Sequence, residues 1–403
     1  MKWSEVQFET LYAAPSRNGI YKTAEFHGSG CRIVNMGELF GLDFISNQEM
    51  KRVELNDAEL AANSLEDGDL LFGRRSLVEA GAGKCSIVIE PPEPLTFESS
   101  IIRVRLDKKA VNPRFFYYYF RSPQGRGRVR SLVSGTNVKG IRGSELKGLL
   151  IEKPPKDIQD EIAEVLSAYD EFIENNRRRM ALLEKAAREL YQEWFVRLRF
   201  PGHEKYRKNR GVPTGWHQKN LSEVAEVNGS TLSSSYEGEI AYVDIASVIP
   251  GQITETKTYQ FTEAPSRARR VVQHGDIIWS CVRPNRRSHA VIWQPIENLI
   301  VSTGFAVISP KTVPTTFLYQ ATTTDEFVGY LTNHARGAAY PAVVASDFER
   351  AEILVPDDRL LSQFNSFAEP AISQIHNLHL QNQKLRTARD LLLPKLMSGA
   401  IQV

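Results

Sequence analysis

Between Ile158 and Phe195 the apolar positions recur at alternating steps of four and three. Ile162, Leu166, Tyr169, Ile173, Met180, Leu183, Ala187, Leu190 and Trp194 hold that period, and Asn176 is its main polar interruption. This is the a/d seam of a coiled coil and predicts one long helix, roughly 50 to 55 Å from end to end. The period returns 202 residues later, in a weaker form, at Phe364, Ala368, Ala371, Ile375, Leu378, Asn382, Leu385, Arg389, Leu392 and Leu396. Two seams in one chain predict an intrachain, antiparallel pair. Such helices act as spacers that hold two other bodies apart.

Outside the seams the pattern shortens. Cys85–Glu90 and Ile101–Leu106 read as strands, and Asp67-Gly68-Asp69 is a turn feeding the buried strand Leu70–Phe72. Asn112-Pro113 opens a helix from Arg114 to Phe120, rich in aromatics and ended by Ser122-Pro123. From Gln124 the chain turns basic and glycine-rich, and is read as a loop, until a last strand at Leu149–Ile151. The second half repeats these posts. Gly275-Asp276 precedes Ile277–Trp279 as Gly68-Asp69 precedes Leu70–Phe72, and Val313-Pro314 precedes Phe317–Tyr319 as Asn112-Pro113 precedes Phe116–Tyr118. Ser346–Phe348 answers Ser144–Leu146, and Pro356 answers Pro154. The predicted architecture is mixed α/β (α+β) with a pseudo-two-fold internal repeat. A globular domain over 1–156 is followed by a spacer helix over 157–197 and a basic linker over 198–216. A second domain over 217–356 then leads into a second spacer helix over 357–399. Trp216 is the expected anchor at the start of the second domain.

Composition changes this picture little. The 403 residues are 42% hydrophobic and 24% charged, with a net charge of only +2, so any surface for nucleic acid has to come from local clustering of Arg and Lys. Cys31, Cys85 and Cys281 form no framework, which fits a reducing compartment. No signal peptide or apolar run of membrane length is present, so the expected location is cytoplasmic, with no membrane partner.

Catalytic signatures for nucleotide-binding loops, zinc proteases, serine hydrolases and paired cysteines are absent from the sequence. His376 and His379 lie three apart on the second spacer without a third ligand, and read as a solvated face. Asp67 and Asp69 read as turn residues. Basic, glycine-bearing loops stand out instead, at matched places in both halves. The first half has Arg74 and Arg75 after a strand end, then Arg126, Arg128 and Arg130, then Thr136, Asn137 and Lys139. The second has Arg283, Asn285, Arg286 and Arg287, the nearby run Arg267, Arg269 and Arg270, and Arg336 to Tyr340 in the place of the Ser134–Lys139 loop. Arg forks onto guanine or phosphate, Asn pairs with adenine, and small polar loops hold phosphates. Two different modules on a spacer predict an asymmetric composite site on duplex DNA. A protein-binding scaffold, using Tyr12, Phe26 or Trp194, is the competing use of the same plan. An enzyme in its own right, a nuclease or methyltransferase, is disfavoured by the missing motifs.

The constellation resembles the specificity subunit of type I restriction-modification systems over essentially the whole chain. The resemblance rests on the duplicated domain-plus-helix plan, the segment Gly275-Asp-Ile-Ile-Trp-Ser-Cys-Val-Arg-Pro284, the Pro213-Thr-Gly-Trp216 entry, the Pro356 exit and the closing Leu392-Leu-Pro-Lys-Leu-Met-Ser-Gly399. The first half departs from it, with no Pro-x-Gly-Trp entry and no Arg-Pro after Gly68–Arg75. The resemblance implies a non-catalytic subunit that reads a bipartite, asymmetric target, one half-site per domain. It implies docking to two modification (methyltransferase) subunits and to restriction subunits. Those partners would bring S-adenosylmethionine, ATP and Mg²⁺, and this chain would bind no cofactor or metal. The residues expected on DNA are Arg74, Arg75, Arg128, Thr136, Asn137 and Lys139 in the first domain. In the second they are Arg283, Asn285, Arg286, Arg287, Arg336 and Tyr340.

Overall fold

The computed structural model describes residues 3–77, 81–209 and 211–401; Arg210 of the basic linker falls outside them. Contacts divide the chain into two units. The first takes residues up to Asn175 together with those from Gln381 onward, and the second takes Asn176–Leu380. Each long helix contributes to both.

In the first unit, Leu70–Gly73 and Ile101–Leu106 pair antiparallel at the centre of a five-stranded sheet. Tyr12–Asn18 flanks one side; Cys85–Val88 and Phe44–Ile45 flank the other, the last of these parallel to its neighbour. The strands Arg52–Val53, His27–Val34 and Leu95–Phe97 form a second, three-stranded sheet. Leu70, Leu71 and Phe72 are fully buried, as a continuous apolar run covered on both faces must be. The helix Pro113–Arg121 starts at an Asn112 side chain that caps the amides of Arg114 and Phe115, with Pro113 in the first turn. Its residues Phe115 to Phe120 are all buried, so the tyrosine run is core.

The following segment corrects the loop reading. Pro123–Arg130 is an α-helix, capped by Ser122 Oγ on the Gly125 amide. A Ser-Pro pair is a helix-start signal as well as a stop, and Val129 gives the short helix a buried anchor. Gly125 permits close packing: a Cβ there would stand 2.1 Å from the Tyr119 carbonyl oxygen.

The second unit carries the same plan with different contents. Ile277–Ser280 and Phe305–Pro310 pair antiparallel, flanked by His289–Val291 and Ala225–Val227. A second sheet runs Lys257–Gln260, Glu239–Val243, Leu299–Ser302 and Ala268–Val271. As in the first unit, this second sheet contains one parallel pair, Glu239–Val243 with Leu299–Ser302. The edge strand Ala268–Val271 has no counterpart in the first unit's three-stranded sheet. In each unit a two-stranded ribbon closes the domain, Ser4–Gln7 with Leu150–Lys153 and His217–Asn220 with Glu352–Val355.

The seam period becomes two helices, Lys156–Tyr191, continued by a π-helical turn over Gln192–Val196, and Asp358–Met397. In the first unit Ile162 and Leu166 pack with Leu393, Leu396 and Met397 and with the Pro113–Arg121 core. Asn382 donates to the Ile173 carbonyl, and Arg389 meets Asp170, so the two helices run antiparallel there. In the second unit Tyr191 and Phe195 pack with Phe364 and Ala368. Leu378 and Ile173 are buried, whereas Tyr169, Met180, Leu183, Leu190, Ile375, Leu385 and Leu392 are half-buried. The apolar arc therefore widens where a globular core joins it, as Leu393 does beside Leu392. Trp216 is 5% exposed and packs on Phe195 and Phe200.

Candidate nucleic-acid interface

Each unit's central strand Leu70–Gly73 or Ile277–Ser280 ends in a basic segment, and that segment is tied to a closed turn. In the second unit, buried Ile277–Ser280 leads through Cys281 and Val282 to Arg283 at φ +51°, a 3-10 turn over Pro284–Arg286, and Arg287 at φ +55°. Ser280 anchors the base of this loop: its amide donates to the Ser288 carbonyl at 2.8 Å, and its hydroxyl to the Val282 carbonyl at 2.9 Å. The Arg283 amide donates to the Pro341 carbonyl at 2.7 Å, and the Val343 amide to the Cys281 carbonyl at 3.0 Å. The turn over 336–342 closes on itself, with Arg336 and Ala342 exchanging backbone bonds of 2.9 Å in both directions. Gly337, at φ +105°, supplies a conformation that side-chain-bearing residues rarely adopt.

The first unit builds the same junction. The Ile141 amide donates to the Arg74 carbonyl at 3.0 Å, and Lys139-Gly140 pairs with Arg75-Ser76. Ser134 and Gly140 exchange bonds of 3.0 and 2.9 Å, and Gly135 sits at φ +104°. A Cβ on Gly135 would stand 2.2 Å from the Val138 carbonyl oxygen, so glycine is required there. Thus the 202-residue step recovers not only sequence posts but one backbone device.

The side chains sort by their engagement. Asn285 and Arg286 are exposed; Arg283 and Arg287 are half-buried. The Arg283 guanidinium lies 4.8 Å over the Tyr340 ring centroid and donates to the Ala339 carbonyl at 3.1 Å. Arg287 pairs with exposed Asp325 and holds that carboxyl below its ordinary range, chiefly through the hydrogen bond. Arg336 reaches buried Asp347 at 3.4 Å, an acceptor it shares with Arg350. In the first unit Arg75, Thr136 and Asn137 are exposed beside half-buried Arg74 and Lys139. Arg74 donates to the Ser99 carbonyl at 3.3 Å. Arg128 differs. It projects from the Pro123–Arg130 helix onto the closing ribbon, where it donates to the Leu150 carbonyl and pairs with Glu5 and Glu152. Its charge is balanced inside the domain.

Three further residues belong to this geometry. Val138, 49% exposed, occupies the tip position of the first turn that Tyr340 occupies in the second; the sequence reading passed over it, although a 202-residue step back from Tyr340 lands on it. Asp347 and Asp325 orient the arginines; the sequence marked Asp347 only as part of the repeated Ser346–Phe348 post and did not mark Asp325. The run Arg267–Arg270 borders the same end: the Thr303 amide donates to the Arg267 carbonyl, and burial pushes the Cys281 thiol up to about 11 against the opposing charge of Arg270.

The carboxylates fill structural places. Asp69 is fully buried, takes the Glu66 amide at 2.8 Å and accepts two bonds from Arg105, each 2.8 Å. Asp276 repeats the turn with the Gln273 amide, and burial raises its pKa. No group of three or more His, Cys, Asp or Glu among the described residues could hold a metal ion. No described helix is long and apolar enough to cross a membrane.

Comparison with known proteins agrees with this geometry. The family described as "Type I restriction modification DNA specificity domain" matches residues 32–185. The MjaIX type I restriction enzyme specificity subunit of Methanocaldococcus jannaschii is 24% identical over 360 residues, covering 82% of this chain and 83% of its own. The EcoKI specificity subunit of Escherichia coli K12 is 28% identical over 207 residues, 48% of this chain and 44% of its own. Among solved structures, the type I restriction-modification S subunit from M. genitalium shares the fold, with a TM-score of 0.60 at 18% identity, covering 98% of this chain and 96% of its own. A duplicated domain-and-helix plan and a basic turn repeated in both units accompany one consistent likeness: this chain carries a type I restriction modification DNA specificity domain over residues 32–185 and is similar along most of its length to specificity subunits of type I restriction enzymes.

Proposed function

We propose that the chain reads a bipartite, asymmetric DNA target, one half-site per domain, and positions the adenine methyltransferase and restriction subunits on it. The single observation that supports this most is the junction built twice, with the same backbone and different side chains. A shared backbone gives each domain the same way of meeting a duplex. Different side chains, Arg75, Thr136, Asn137 and Lys139 against Arg283, Asn285, Arg286 and Tyr340, give each a different sequence to prefer. Phosphate contacts from the arginines fix register and salt dependence, and the exposed Asn and Arg groups contact base edges. Arg128, balanced by Glu5 and Glu152, serves the domain's integrity more than the interface.

The chain's part is selection. S-adenosylmethionine, ATP and Mg²⁺ belong to the partner subunits, and methyl transfer, translocation and cleavage are theirs. The long helices carry the docking surface for those partners and fix the half-site spacing. The test is duplex binding by the chain assembled with its methyltransferase partners at physiological salt. Specific binding is expected to exceed random-sequence binding by about 10³-fold or more. Equal affinity for every duplex overturns the reading.

A further inference from the structure

The two closed turns agree in backbone but not at one exposed apolar position. The tip residue is Val138 in the first unit and Tyr340 in the second, 49% and 70% exposed. Tyr340 is the most exposed large apolar side chain described in its unit. It is nevertheless held in place. Arg336 and Ala342 clamp the turn, Pro341 follows the ring, and Arg283 covers one face while bonding to Ala339. The side chains beside it on the tip, Ala338 and Ala339, are small. Arg283 on the ring and exposed Arg286 make the surroundings cationic, while Arg287 and Arg336 are paired with Asp325 and Asp347.

A lone ring in a cationic setting suits a polyanion better than an apolar protein surface. Such a ring, backed by a guanidinium, has the chemistry that stacks on a nucleic-acid base, worth about 1 to 3 kcal/mol per base. Apolar side chains on rigid elements also act as wedges between base steps. A flexible tip would lose much of that gain to ordering the ring; this one is already ordered.

We propose that Tyr340 is a stacking wedge at the second half-site, that Arg283 is the positioning residue that holds its ring, and that Val138 takes the equivalent place at the first half-site. Valine fills space against bases without stacking, so the two half-sites are met by the same turn with different tip chemistry. This inference rests on the DNA-reading function proposed above.

The test uses the chain in complex with its methyltransferase partners and the target duplex found by methylation mapping. 2-Aminopurine replaces successive bases through both half-sites. For the wild type and Tyr340→Phe, the fluorescence is expected to change on binding at one step, or two adjacent steps, of the second half-site. For Tyr340→Ala the change disappears and affinity falls about 10- to 100-fold, while the first half-site stays recognised. Arg283→Gln weakens the response at the same step. A wild-type complex that binds its target specifically with no responsive step overturns the wedge and leaves the function intact. So does Tyr340→Ala behaving as wild type. A wild type without sequence preference overturns the function itself and the wedge with it.

Discussion

Arg389 of the second long helix donates its guanidinium to Asp170 of the first, and both side chains are nearly sealed from solvent, at 7% and 2% exposure. The other Asp170 oxygen accepts the Tyr118 hydroxyl at 2.6 Å, so one carboxylate joins two spacer helices to the aromatic core helix. Removing one partner of a buried pair strands the other charge, which costs about 3 to 5 kcal/mol. Asp170→Ala is therefore expected to lower unfolding stability by that amount in urea. The joint change Asp170→Leu with Arg389→Leu is expected to lose less than Asp170→Ala, because no buried charge is left unpaired and only the Tyr118 hydroxyl loses its acceptor, at about 1 to 3 kcal/mol. Additive losses in a double-mutant cycle would show that the pair is not coupled.

His289 should make the second unit acid-sensitive. Its ring lies between Trp279 and Tyr319, with centroids 4.9 and 5.5 Å away. Burial, then the charges of Arg188 and Arg287, push its pKa down to about 4. The unfolded chain takes up a proton near pH 6.5 while the folded one resists until about 4. Stability is thus full above the unfolded value and is lost as pH falls through that window, by on the order of 3 kcal/mol. His289→Phe should flatten the difference in urea midpoint between pH 7.5 and 5.0. An unchanged difference contradicts the assignment.

Gly337 and Gly135 hold backbone conformations that cost about 1 to 3 kcal/mol for other residues. Gly337→Ala is expected to weaken target binding by about 5- to 100-fold with little change in global unfolding, because the turn is exposed. Gly135→Ala should do the same at the first half-site, more severely, given the approach of the Val138 carbonyl. Equal loss of binding and of global stability would place the strain in the core instead.

A four-residue helical insertion should lengthen a spacer by about 6 Å and turn its far end by roughly 40°. Matched insertions in both long helices are expected to change the half-site spacing and leave the half-sites themselves alone. Recovery of the original spacing from such a variant contradicts the ruler role.

Much of the architecture was legible because it is periodic. The seam from Ile162 to Trp194 and its copy gave the long helices, and the Gly-Asp posts before Leu70 and Ile277 gave the repeat. The interior of each domain was less so. Pro123–Arg130 looked like a loop because its glycines disfavour helix by propensity; tertiary packing of Val129 and the Ser122 cap decide otherwise. Arg389 occupies a seam position as a charged residue, and its partner Asp170 lies off the period on the other helix, so the pair is found only by packing. The candidate interface reads in the sequence as basic loops, but not as a paired turn-and-strand junction. Arg128 and Arg283 read alike in sequence, yet one is balanced by Glu5 and Glu152 and the other backs an exposed ring. Such differences lie in contacts between distant residues, which no local pattern records.

The most direct measurement is genome-wide mapping of methylated adenines in cells carrying this chain with its methyltransferase partner, repeated with Arg283→Ala combined with Arg286→Ala. The account predicts one bipartite, asymmetric motif for the wild type. In the variant it predicts loss or relaxation of one half only, with the other half and the spacing retained. A continuous or palindromic motif, or simultaneous loss of both halves with the protein still folded and assembled, would contradict it.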